Sequence, residues 1–91
     1  MPVTIRLSAV LRDYAREAAE FPVEASSVTA ALAELARTRP SLHRSVCDEA
    51  GNVRRHINLF VNSDHVRDRQ GLDTPLATGD VLTILPAVSG G

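Results

Sequence analysis

The sequence predicts an α+β domain in which one mixed sheet of four to five strands is covered by one main helix. Three observations predict it. Val3, Ile5 and Leu7 alternate with Thr4, Arg6 and Ser8, the period of two that marks a strand with one buried face. Val28, Ala31, Leu32, Leu35 and Ala36 recur at the spacing of one helical stripe. The runs Ile57-Asn58-Leu59-Phe60-Val61 and Val81-Leu82-Thr83-Ile84-Leu85 are rich in strand formers and end in turn residues.

The elements follow in order. After the first strand comes a loop holding Leu11, Arg12, Asp13 and Tyr14, then a second short strand over residues 19–23. Pro22 has no amide donor, which sends that strand to a sheet edge, and the short connection makes the pair antiparallel. Ser27 is a good N-cap for the helix, and Pro40 stops it near Arg39. Residues 41–55 read as irregular, with at most one helical turn around Leu42 to Val46. Asn62-Ser63-Asp64 makes a turn, Val66 opens a short fourth strand, and Thr78-Gly79-Asp80 makes the turn before the last strand. One helix must cover one sheet face to bury both apolar surfaces. The first and last strands are the most apolar, so they pair at the centre, and a crossover containing the helix lets them run parallel. That is the layout of a β-grasp domain.

Composition narrows the function. Ninety-one residues hold one core, and an apolar fraction of 44% suits a soluble globule. A net charge of −1 and three aromatic residues (Tyr14, Phe21, Phe60) argue against nucleic-acid binding. The single Cys47 can form no internal disulfide, no signal peptide is expected, and no apolar run approaches the ~20 residues of a membrane span. A cytoplasmic protein, monomeric when free, is expected. All ten basic residues are arginine, so the chain offers no lysine amine to an isopeptide bond. His43, His56 and His65 match no metal-ligand spacing, Cys47 lies in the least patterned segment, and no glycine-rich phosphate loop occurs. No bound cofactor and no catalytic constellation are expected.

The chain resembles the ubiquitin-like sulfur carriers, the group that includes the small subunit of molybdopterin synthase and the thiamine-pathway carrier. The resemblance is carried by Val3 to Leu7 with Leu11-Arg12, by Ser27-Val28-Thr29 and by Ile57 to Asn62. Most specific is the stretch from Pro75 through Gly79-Asp80 and the apolar strand to Pro86-Ala87-Val88-Ser89-Gly90-Gly91. The His56 to Asn62 run and the Leu85-Pro86-Ala87-Val88 ending are most similar to the actinobacterial carriers of cysteine biosynthesis.

The resemblance implies a division into a globular domain, residues 1–85, and a tail, residues 86–91, reaching roughly 20 Å at about 3.3 Å per residue. It also implies that a partner enzyme of the ubiquitin-activating type uses ATP to adenylate Gly91, and that sulfur transfer leaves a thiocarboxylate there. Gly90, without a Cβ, lets the tail enter narrow channels. Ser89, Val88, Ala87 and Pro86 set its direction. By the same resemblance, the sulfur is expected to pass to an acceptor enzyme of cysteine, molybdopterin, thiamine or secondary-metabolite synthesis. Counting back along the last strand, Leu82 and Ile84 face the helix and Thr83 and Leu85 face outward. An outward Phe60, Val66 and Leu85 make an apolar docking patch, although Phe60 suits a core position equally well. Two other functions fit the same residues: a protein modifier joined through Gly91 to target lysines, and an interaction module with an inert tail.

Overall fold

The computed structural model describes residues 2–86, with the backbone alone described at Tyr14 and Ala15. The elements are β1 (Pro2–Leu7), α1 (Ala9–Ala15), β2 (Glu20–Glu24), α2 (Val28–Thr38), α3 (Pro40–Val46), β3 (Ile57–Val61), β4 (Asp64–His65) and β5 (Val81–Pro86). Two single 3-10 turns, Val66–Asp68 and Gly71–Asp73, occupy the connection from β4 to β5.

The strands form one sheet in the order β2-β1-β5-β3-β4. β1 and β5 run parallel, with Ile5 opposite Leu82 and Leu7 opposite Ile84. β2 lies antiparallel on β1, and β3 antiparallel on β5. Pro22 sits on the edge strand, where its missing donor breaks no ladder between inner strands. The alternation read in the sequence becomes a division of faces. Val3, Ile5, Phe21, Val23, Leu59, Val61, Leu82 and Ile84 point into one core with Val28, Ala31, Leu32 and Leu35 of α2. Thr4, Asn58, Phe60, Thr83 and Leu85 occupy the opposite face, which is only half-buried.

α1 lies where a loop was expected, and the helical turn expected around Leu42 to Val46 is a full helix, α3. In α1, the Ser8 hydroxyl accepts from the Leu11 amide at 3.4 Å and Leu11 is buried, so the segment has both a cap and an anchor. Its C-terminal end is closed by Arg16 in the left-handed region (φ 57°), a place glycine normally marks. Without that glycine the stop signal is missing from the sequence. In α3, Pro40 both ends α2 and opens the next helix. Arg39 is pushed out of helical geometry (φ −139°, ψ 67°) as a residue before proline, and Pro40 then supplies a pre-set φ at the first helical position. Leu42 and Val46, four apart, are fully buried. Arg39 pins this corner: its guanidinium lies 3.8 Å from the Phe21 ring centroid, and its Nε donates to Glu17 Oε1 at 3.0 Å.

The approach to β5 is held by Asp80 and Asn62. Asp80 Oδ2 accepts from the Ala77 amide at 2.9 Å, and Asp80 Oδ1 accepts from Asn62 Nδ2 at 3.2 Å. The Asn62 side-chain oxygen accepts from the Val81 amide at 3.1 Å, while Asn62 itself takes φ 55°. Gly79, at φ 88°, gives the turn the positive φ it requires. The Asp80 backbone then joins the sheet: its carbonyl accepts from the Thr4 amide at 2.9 Å. A two-residue side-chain clasp thus fixes where the last strand begins.

Candidate functional site

β5 lies between a parallel and an antiparallel neighbour, so both of its edges are paired. Leu82 and Ile84 are fully buried, as the count along the strand predicts, and the Ile84 carbonyl also accepts from the Ser8 amide at 3.2 Å. Pairing continues to Pro86, which stands opposite Ile57, one residue beyond the strand read from the sequence. Pro86 is therefore held in the middle of the sheet and not on a loop. Ala87, Val88, Ser89, Gly90 and Gly91 lie outside the described residues.

The outer face carries two of the three expected patch residues. Leu85 stands opposite Asn58 and Phe60 opposite Thr83, so Phe60 and Leu85 share the open side of the sheet, both half-buried. Phe60 is thereby placed outside the core. Val66 corrects the expectation: it opens a 3-10 turn after a strand of only two residues, Asp64 and His65, and that turn folds its side chain into the core at 7% exposure. The short strand ends before Val66, so the phase assumed for an outward side chain does not apply to it.

His65 occupies the place beside Phe60 that was assigned to Val66. The two rings meet edge to face, 5.0 Å between centroids at 69°. The imidazole is held from both sides: Nδ1 accepts from the Arg67 amide at 3.1 Å, and Nε2 lies 2.9 Å from Asn58 Oδ1. A ring whose Nδ1 accepts carries its proton on Nε2, which then donates to Asn58. His65, held by Asn58 and the Arg67 amide, thus packs edge to face against the Phe60 ring. A histidine five residues after an aromatic carries no pattern that singles it out, so sequence reasoning treats it as an ordinary surface residue.

Other reactive groups are spent structurally. Cys47 is buried, and desolvation, reinforced by the Asp48 carboxylate and partly offset by Arg54, pushes its thiol above the ordinary range, which disfavours the nucleophilic thiolate. Among the described residues no three His, Cys, Asp or Glu side chains converge as metal ligands, and no helix is long and apolar enough to cross a membrane. The Asp80 carboxyl is held below its usual range, first by the Ala77 amide and then by Asn62, as expected of a structural clasp.

Comparison with known proteins joins these features to a group. Residues 5–91 match the ThiS family. The sulfur carrier protein CysO of Mycobacterium tuberculosis is 31% identical over 93 aligned positions covering all of both chains. Among solved structures, SAMP1 of Haloferax volcanii superposes with a TM-score of 0.83 at 29% identity, covering 100% of both chains. The BexX/CysO complex of Amycolatopsis orientalis contains a chain matched with a TM-score of 0.83 at 29% identity, over 98% of this chain and 99% of that one. With its sheet order, its buried last strand and a match extending to residue 91, the chain belongs to the ThiS family of ubiquitin-like sulfur carriers.

Proposed function

We propose that the protein is a carrier and co-substrate that delivers sulfur from a thiocarboxylate at Gly91, and is not itself an enzyme. A terminal carboxylate is anionic at neutral pH and a poor electrophile. A partner of the ubiquitin-activating type transfers AMP from ATP to it, releasing pyrophosphate. A sulfide-level donor then displaces AMP at the carbonyl carbon and leaves C–S in place of one C–O bond. Gly90 and Gly91 let this group enter the partner's channel, while Pro86 to Ser89 direct it. Phe60 and Leu85, half-buried on the open sheet face, form the apolar part of the docking surface.

The observation that carries this reading is the family match running through Gly90 and Gly91, behind a strand whose Leu82 and Ile84 are fully buried. Of the possible acceptors, cysteine synthesis is favoured, because a full-length relative is named as the carrier CysO. Molybdopterin, thiamine and secondary-metabolite synthesis are the alternatives. Intact mass spectrometry of protein isolated from its host tests the proposal. A fraction with one oxygen replaced by sulfur is expected, and its absence even after incubation with the cognate activating enzyme, ATP and sulfide refutes it.

The likeness to SAMP1, a small archaeal modifier protein by name, supports a second reading in which Gly91 is joined to target lysines. Lacking lysine, this chain can be attached singly but cannot be extended through its own side chains. A ladder of adducts on denaturing gels supports this reading. Activity that survives removal of Gly90 and Gly91 instead reduces the protein to an interaction module with an inert tail.

A further inference from the structure

Helices α1 and α3 and the end of β5 enclose an open groove of about 780 Å3, a size that accommodates several side chains. It lies apart from Phe60 and Leu85, neither of which lines it. Its apolar part is Leu11 and Pro86, with Val10 beside them. Val10, at 67% exposure, is a large hydrophobic side chain left open to solvent, whereas the other large aliphatic side chains among the described residues are at least partly buried.

The rest of the groove is polar, and its charged groups are the guanidiniums of Arg44 and Arg54. Ser41, Ser45 and His56 line it beside them, and among the described residues no carboxylate does. Arg54 Nε donates to the Arg44 carbonyl at 2.9 Å, and the Arg44 guanidinium donates to Ser41 Oγ at 3.3 Å, so both side chains are tethered at the rim. Neither has a carboxylate partner among the described residues. Arg6, Arg12, Arg37 and Arg39 do, facing Glu20, Asp13, Glu34 and Glu17 respectively. In a chain of net charge −1, two tethered and uncompensated guanidiniums beside an exposed valine form a surface that wants an anionic partner with an apolar tip.

Position says which partner. Pro86 lines the groove, so an enzyme that takes residues 87–91 into its channel brings the mouth of that channel against it. The geometry points to this groove as the seat of an acidic segment, Asp or Glu residues flanking a leucine-like side chain, on the enzyme that activates the tail. The apolar tip packs on Val10 and Pro86, over the buried Leu11, and the carboxylates take the free donors of Arg44 and Arg54. Only the identity of the partner rests on the carrier reading; the groove's preference for an acidic, apolar-tipped chain does not.

The experiment has two arms. In the first, isotope-labelled full-length protein is titrated with a Glu-rich peptide bearing a central Leu-Leu pair, and amide shifts are followed by NMR. Shifts at Val10, Leu11, Arg44 and Arg54 are expected, with binding roughly tenfold weaker in Arg44→Glu/Arg54→Glu and weaker again at high salt. Both arginines are exposed, and Arg44→Gln/Arg54→Gln serves if the charge reversal disturbs folding. Shifts elsewhere, unchanged binding by the variant, or an equal response to an oligothymidine of the same charge overturns the proposal. In the second arm, KM of the activating enzyme for the carrier rises roughly tenfold in the variant with kcat unchanged. An unchanged KM also overturns it. If no such enzyme loads the wild-type chain, the carrier reading fails, and the peptide arm alone decides the groove.

Discussion

Replacing Asp80 by alanine tests whether the clasp at the start of β5 holds the sheet together. The carboxylate accepts from the Ala77 amide at 2.9 Å and from Asn62 Nδ2 at 3.2 Å, and the substitution removes both bonds. Each is worth about 1 kcal/mol net at a site that water reaches. Asn62, in the left-handed region at φ 55°, also loses one of the bonds that hold it there. The expected loss is about 2 kcal/mol, which lowers Tm by roughly 8–16 °C in a domain of this size. The effect depends on pH in a defined direction. Asp80 is held below its ordinary range in the folded state, first by the Ala77 amide and then by Asn62. Its contribution is therefore full above the unfolded-state value, near pH 4, and is lost as pH falls below that through the folded value. Thermal melts by circular dichroism at pH 7 and near pH 3, on wild type, Asp80→Ala and Asp80→Asn, read this out. The wild-type advantage should be large at pH 7 and shrink in acid. A Tm difference under about 2 °C at neutral pH, or one that does not narrow in acid, refutes the claim that the ionised carboxylate organises this turn.

Three further outcomes are expected. Ile84→Ala removes a fully buried side chain from the central strand and should cost about 3–4 kcal/mol in urea unfolding, a large share of the total for a domain this small. Phe60→Ala, on the open face, should cost about 1–2 kcal/mol and instead raise KM for the activating enzyme, measured by pyrophosphate release. Cys47, buried and with its thiol pushed up by desolvation, should resist alkylation in the native state and react within minutes in denaturant, as followed by mass spectrometry.

Particular residues show where the chain could be read and where it could not. Val3-Ile5-Leu7 and Leu82-Ile84 declare their buried face by alternation, because a strand's side chains switch sides at every residue whatever the strand packs against. Ser27 and the stripe from Val28 to Leu35 declare α2 for the same reason at helical period. The short helices are different. α1 ends on an arginine in a conformation that glycine usually marks, and α3 begins at a proline that also reads as a stop. Seven-residue helices are too short to be stable alone. They exist here because Leu11, Leu42 and Val46 find places in the shared core.

The candidate site divides along the same line. Gly90 and Gly91, the buried face of β5, the outward phase of Leu85 and the lack of lysine are properties of consecutive residues and follow from local order in the chain; Phe60 suits either face on that order alone and is decided by its pairing opposite Thr83. The inward turn of Val66 and the groove that collects Val10, Arg44 and Arg54 beside Pro86 depend on segments far apart in sequence, and the contact of His65 with Phe60 depends on how the chain turns between them. Periodicity tells which side of its own element a residue faces; only packing decides what stands opposite.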